Sequence, residues 1–229
     1  MVSEIAEQCI DDVCEQHEIK SIVRVNHCRA EASMNSENEL TLIKRSQEGD
    51  SDAFGELVKL YQNDLISLAV NLCGARSEAE DIVAETFLRA FKHIQGFRGE
   101  SSLKTWLWKI LTNIARSHLR RRYLYNKIFF WNSQSNDDDD MPLGHQWRDN
   151  SPSADPEHQA ERHSVEQIIK KSMRTLSIRE REVFSFKYEK NLKINEIAEL
   201  LKISPNTVKS FLFRATKKVS VALKDYRKI

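Results

Sequence analysis

The chain has 229 residues, enough for one large domain or two small ones, and 30% of them are charged, with a net charge of only +1. That balance gives no bulk attraction for nucleic acid, and no apolar run approaches the length of a membrane span. The opening Met1-Val2-Ser3-Glu4 is no signal peptide, so a cytoplasmic chain with its four cysteines reduced is expected. Six glycines, four prolines and no strand-like alternation point to an all-α protein.

Residues 1–35 are polar and weakly periodic and read as a disordered extension. They hold Cys9, Cys14, His17 and Cys28, enough ligands for one zinc ion but without a C-x-x-C pair. Metal binding there, a disordered tail, and a start codon placed upstream of the true one near Met34 are all open readings. No metal and no other cofactor is assigned.

A helical block spans 36–122. Gly49-Asp50 ends its first helix, and Asp52 to about Cys73 makes the second, with Gly74 as a stop and Cys73 as a core thiol. Ser77-Glu78-Ala79-Glu80 reads as a capping box opening a third helix, whose inward side carries Ile82, Val83, Phe87, Ala90 and Phe91. On its other side Asp81, Glu85 and Arg89 follow at i, i+4 and i+8, and Gln95 stands at the helix end. As a plain solvated face this stripe offers only a Glu85–Arg89 pair worth about 0.3 kcal/mol.

Gln95 to Glu100 form a loop, and Ser101-Ser102 start a fourth helix bearing Trp106, Leu107, Ile110, Leu111, Ile114 and Leu119 as its apolar stripe. Trp106 is therefore expected in the core, while Trp108 lies off the stripe and is expected to touch a partner. Charge here is patterned where the total is not. Ser101 to Asn136 contain no acid, but Lys104, Lys109, Arg116, Arg120, Arg121, Arg122 and Lys127 are basic. The sign reverses from Asp137 to Glu161, and reverses again from Lys202 onward, where eight Lys or Arg face only Asp225. Two basic blocks around an acidic one are the pattern of a two-site polyanion binder.

Residues 123–160 form a flexible linker with an Asp tract and three X-Pro pairs. A second helical domain, 161–229, opens with a capping box at Ser177-Ile178-Arg179-Glu180 and closes with a helix–turn–helix. Ile194 to Leu201 form the supporting helix, Lys202-Ile203-Ser204 the turn, and a second helix starts at Pro205 with Ser204 as N-cap. Val208, Leu212, Ala215 and Val219 recur at core spacing, leaving Asn206, Lys209, Ser210, Phe213, Arg214 and Lys217 outward.

Three segments together resemble bacterial sigma factors of the extracytoplasmic-function type, a branch of the sigma-70 family. Ala79 to Phe91 resembles the helix that binds core RNA polymerase, Phe97 to Leu107 the promoter-melting loop and helix start, and Leu176 to Val219 the C-terminal promoter-reading domain. The resemblance implies a non-enzymatic initiation factor that joins core RNA polymerase and recognises promoter DNA in a stress or envelope-signal response; the family often has an anti-sigma partner, and whether this chain has one is left open. It assigns core binding to Asp81, Glu85, Arg89 and Gln95. Minus-ten contacts fall to Arg98, Ser101, Ser102, Lys104, Trp108, Lys109, Asn113, Arg116, Arg120 and Arg121. Minus-thirty-five contacts fall to Asn206, Thr207, Lys209, Ser210, Phe213, Arg214 and Lys217. The chain departs from the family at Phe211, where Arg is usual, and at Lys202, where the turn usually has Gly at a strain of about 1 kcal/mol if φ is positive. The acidic linker either mimics nucleic acid in the polymerase channels or serves as a spacer. The rival readings are a stand-alone helix–turn–helix regulator, which binds duplex DNA as a dimer, and a redox or zinc sensor using the N-terminal cysteines.

Overall fold

The computed structural model describes the backbone of residues 36–129 and 172–226, with side chains over 38–125 and 172–221. The described residues are helical without a strand and fall into two compact units. The N-terminal cysteines and the acidic tract of the linker lie outside them.

In the first unit, α1 (Ser36–Gln47) ends where Gly49 takes a φ of 99°, a turn that suits a residue without Cβ. Asp50 then caps α2 (Ser51–Cys73): its Oδ1 accepts the N–H groups of Asp52 and Ala53 at 2.9 and 3.1 Å, and its Oδ2 takes two Arg45 nitrogens at 2.9 and 2.6 Å. The bond from Ala53, followed by that from Arg45, holds the Asp50 carboxyl below its ordinary pKa. Helix α2 stops at Gly74, which is left-handed and whose N–H returns to the Val70 carbonyl at 2.8 Å.

Helix α3 (Arg76–His93) starts two residues earlier than the capping box implies. Ala75 is its N-cap and gives no side-chain bond, so the box at Ser77 does not form. Glu80, the glutamate of that box, instead accepts Arg76 Nε at 2.9 Å, and Glu78 is engaged from the fourth helix. Both its oxygens accept Arg122 Nη1 at 2.6 Å from α4 (Leu103–Phe129), which runs on past the expected boundary at Arg122. A 3-10 turn, Ile94–Gly96, follows α3.

The four helices enclose Leu57, Leu65, Leu68, Ala69, Leu72, Ile82, Ile94, Leu107, Leu111, Ile114 and Leu119, all within 2% of complete burial. Each such leucine or isoleucine contributes roughly 1.5–3 kcal/mol relative to leaving it exposed. Cys73 belongs to this core, 4% exposed, with its thiol donating to the Ala69 carbonyl at 2.6 Å. Burial, and then the nearby charge of Glu78, push its pKa up to about 12. Phe91, expected inward, is 40% exposed and only leans edge-on against Phe54, at 5.0 Å between ring centres. Phe87 and Ala90 already fill the inner face beside it.

In the second unit, the capping box forms as expected. Glu180 N–H reaches Ser177 Oγ at 3.4 Å, and Ser177 N–H reaches Glu180 Oε2 at 2.9 Å, opening α5 (Ile178–Phe184). A π-turn over Ser185–Glu189 leads to α6 (Ile194–Leu201) and α7 (Pro205–Tyr226). Between α6 and α7, Lys202 adopts φ 55° and ψ 49°, the left-handed conformation that makes a non-glycine residue there strained. The turn is held by Ile203 N–H to the Ala198 carbonyl at 3.0 Å. Met173, Leu176, Phe184, Ala215 and Val219 form the core of this unit, with Tyr188 packed against it.

Candidate nucleic-acid interface

On α3 the expected stripe is outward. Asp81 and Arg89 are exposed, Glu85 is half-buried, and the Arg89 guanidinium meets Glu85 Oε1 at 2.5 Å. Gln95, on the 3-10 turn, is exposed too. Leu88 shares this side of α3 at 56% exposure. Polar pattern reading passed over it, although its seven-residue spacing from Asp81 places it on the same helical face.

The loop between α3 and α4 is anchored from α1. Gln47 Nε2 donates to the carbonyls of Ile94 at 3.1 Å and Phe97 at 2.8 Å. Phe97 then packs against Trp106, ring centres 5.2 Å apart. Beyond this anchor Arg98, Gly99, Glu100, Ser101 and Ser102 are all exposed, and Gly99 has a φ of 72°. Arg98 lies 4.0 Å from Glu100, a loose pair between side chains that are both more than four-fifths exposed. Ser102 caps α4 through Thr105 N–H at 3.1 Å, so its hydroxyl is committed to the helix start. Nothing in a residue-by-residue pattern marks Gln47, because its partners are backbone atoms 47 and 50 positions away.

The two tryptophans exchange their expected places. Trp108 is 4% exposed and its indole N–H donates to Asp64 Oδ2 on α2 at 2.8 Å, whereas Trp106 is half-buried at the mouth of the loop. A buried indole needs an acceptor. Asp64 supplies one, which draws Trp108 inward. The expectation that Trp108 faces a partner is therefore corrected. Lys104 is drawn toward the same carboxylate, 3.6 Å from Asp64 Oδ1 and 5.2 Å above the Trp108 ring. Arg122 is likewise committed to Glu78.

Further polar residues of α4 form a ladder. Lys109, Asn113 and Arg120 are exposed and Arg116 is half-buried, at i, i+4, i+11 and i+7, a stripe about 17 Å long at 1.5 Å per residue. Arg121 is exposed on an adjacent side.

In the second unit α7 divides as its periodicity implies. Val208, Leu212, Ala215 and Val219 are at most 1% exposed. Asn206, Ser210, Phe213, Arg214 and Lys217 are exposed, while Thr207 and Lys209 are half-buried. Ser204 Oγ accepts Thr207 N–H at 3.1 Å, which confirms the N-cap and leaves the helix start presented beyond the turn. Ser210 Oγ donates back to the Asn206 carbonyl at 3.0 Å. Phe211 is half-buried and lies under the Arg214 guanidinium at 4.9 Å.

Fold and exposed faces together define a helical transcription factor: a helix–turn–helix unit with an outward cationic face, and a four-helix unit with a basic ladder beside an anchored loop. Residues 57–124 match the family description Sigma-70 region 2, and residues 166–219 match Sigma-70, region 4. The chain is similar to the RNA polymerase sigma-H factor of Pseudomonas aeruginosa, 30% identical over 200 residues that cover 83% of this chain and 96% of that one. It is also similar to the ECF RNA polymerase sigma-E factor of Haemophilus influenzae, 30% identical over 177 residues, 76% of this chain and 89% of that one. In fold it is similar to the sigma factor RpoE in its complex with the anti-sigma factor NepR from Bartonella quintana, with a TM-score of 0.54 and 23% identity over 75% of this chain and 96% of that one. The chain belongs to the sigma-70 family, in its extracytoplasmic-function branch, and directs promoter-specific initiation by RNA polymerase.

Proposed function

We propose that the exposed faces divide the work of initiation. The α3 stripe of Asp81, Glu85 and Arg89, with Gln95 beyond it, docks on core polymerase, and exposed Leu88 adds apolar area to that contact. The loop with Arg98, Ser101 and Ser102, continued by Lys109, Asn113, Arg116, Arg120 and Arg121, takes the minus-ten strand, with Lys104 contributing less because Asp64 already draws its charge. Half-buried Trp106, rather than Trp108, is the aromatic at that mouth. The outward face of α7 reads the minus-thirty-five duplex. Arg214 and Lys209 suit guanine edges or phosphates, Phe213 suits a thymine methyl, and Asn206 and Thr207 at the helix start suit phosphate.

The observation that carries this reading is that these helices turn their apolar stripes inward and keep their polar stripes outward, within the two segments that match the family. The protein supplies recognition while polymerase supplies chemistry, and its place of action is the cytoplasm, in a stress or envelope-signal response. An anti-sigma protein is an expected partner, as it is for the Bartonella sigma factor in its complex with NepR. The roles are tested by binding to bacterial core polymerase and by run-off transcription from a genomic promoter library. Asp81→Ala lowers core affinity with promoter preference unchanged, and Arg214→Ala lowers promoter use with core affinity unchanged. The reverse pattern refutes the assignment of faces.

A further inference from the structure

Glu180 is fully buried, yet it lies against Lys218 and Arg214 of α7. Its Oε2 accepts Lys218 Nζ at 2.8 Å and Ser177 N–H at 2.9 Å. Its Oε1 accepts no hydrogen bond among the described residues and faces Arg214 Nε at 4.0 Å. On the other side of Arg214 stands Phe211, with the guanidinium 4.9 Å above its ring. The Arg214 side chain is 46% exposed and so reaches the surface of the helix.

We propose that Phe211 and Glu180 are positioning residues that hold Arg214 for base reading, the ring fixing the guanidinium plane and the buried carboxylate fixing its inner edge. This rests on the proposed role of Arg214 in duplex recognition. A free arginine on a helix surface samples many rotamers and serves a phosphate as well as a base, because a phosphate asks only for charge. A bidentate contact to a guanine edge asks for a plane in a set orientation. A guanidinium stacked on an aromatic face keeps its in-plane N–H groups free to point outward. The carboxylate supplies the second constraint without reaching the surface, since burial keeps it from repelling the DNA backbone directly. The holder therefore converts a general cation into a selective one. Phe211 contributes no contact to DNA in this arrangement; it acts through Arg214.

The test uses the full chain with bacterial core polymerase on a library randomised at the minus-thirty-five element, with affinity measured over a range of salt. Phe211→Leu keeps an apolar side chain and every charge. It lowers base preference by about threefold, the worth of a partly exposed cation–π contact, with the salt dependence unchanged. Phe211→Tyr keeps the ring and restores the preference. Glu180→Gln retains an acceptor for Ser177 N–H but removes the anion, so it lowers base preference while general DNA affinity holds or rises. A structural defect alone would lower both together. Thermal melting of each variant reports folding, and Phe211→Leu leaves the Glu180 capping box intact if Glu180→Gln does not fold.

Unchanged preference in both Phe211→Leu and Glu180→Gln, with Arg214→Ala defective, overturns the holder and leaves the reading of Arg214 standing. An Arg214→Ala chain with unaltered promoter use overturns that reading itself. Loss in Phe211→Leu that Phe211→Tyr does not restore also overturns the holder, because it shows that packing and not the ring was responsible.

Discussion

Gln47→Leu isolates the anchoring of the α3–α4 loop. The Gln47 amide donates two hydrogen bonds, to Ile94 O at 3.1 Å and Phe97 O at 2.8 Å, in a partly buried site. Ile94 O keeps a second partner, Phe97 N–H at 3.0 Å, so its desolvation cost in the variant is small. Phe97 O has no such reserve among the bonds described, and its loss dominates. One net hydrogen bond at about 1 kcal/mol plus part of an unsatisfied carbonyl gives about 1.5–2 kcal/mol. That is roughly a ten- to thirtyfold rise in local opening of the loop, since about 1.4 kcal/mol is a factor of ten. Native-state hydrogen exchange reads this directly: amides of residues 97–102 exchange faster, while α2 and α3 core amides do not. If the loop opens the promoter as proposed, Gln47→Leu also slows strand separation on duplex templates and spares binding to templates already melted. Gln47→Glu, which sets a carboxylate against two carbonyls, has the larger effect. Exchange in the loop unchanged within about twofold would refute the anchor, and equal acceleration throughout the core would show that Gln47 acts on global stability instead.

Three further outcomes follow from the buried polar groups. Trp108→Phe removes the indole bond to Asp64 and leaves a small void, for a loss of about 1–2 kcal/mol in denaturant unfolding; a loss under about 0.3 kcal/mol would mean the bond is not formed. Cys73, with its pKa pushed up to about 12 and its thiol buried, reacts with a thiol reagent at neutral pH only as fast as the unit opens, so a rapid stoichiometric reaction in the native chain truncated to 36–129 would contradict its burial. Burial acts to raise the pKa of Glu180, but its bonds to Lys218 and Ser177 outweigh this and hold the folded value below 4.5. A depressed carboxyl pKa stabilises fully above the unfolded value and loses that contribution as pH falls through the folded one. Melting of the wild-type chain thus falls more steeply below pH 4.5 than melting of Glu180→Gln, and parallel curves would remove the ion pair from the account.

The elements of this fold were legible because each carries its own local chemistry. Gly74 and Ser204 mark helix ends by themselves, and the stripe Val208, Leu212, Ala215 and Val219 is buried as its spacing requires. Local chemistry misleads where another partner competes for the same group. Ser77 and Glu80 fit a capping box on sequence, but the helix starts at Arg76 and Glu80 pairs with that arginine instead. Trp108 falls off the apolar stripe of α4, yet the carboxylate of Asp64, 44 residues away, makes the interior habitable for its indole N–H. No short window along the chain contains that last pair, so periodicity assigns Trp108 to the wrong side.

The same competition decides which cations remain available on the surface. Counting Lys and Arg from 101 to 122 gives a basic block, but Arg122 is neutralised by Glu78, and Lys104 is drawn to Asp64. Among the described side chains of α4, Lys109 and Arg120 are exposed and Arg116 is half-buried along one stripe, with Arg121 on an adjacent side. On α7, Lys218 is held by Glu180. Each unit thus presents fewer cations than its sequence contains, and a protein with few free cations has little affinity for arbitrary DNA. Promoter binding by either unit alone is then weak, and it becomes useful when both act on one DNA at the high effective concentration that a shared polymerase imposes. Measured salt slopes check this reasoning. The isolated 172–226 unit should release fewer counterions than its Lys and Arg content implies, and a slope equal to the full cation count would show that Glu180 does not restrain Lys218.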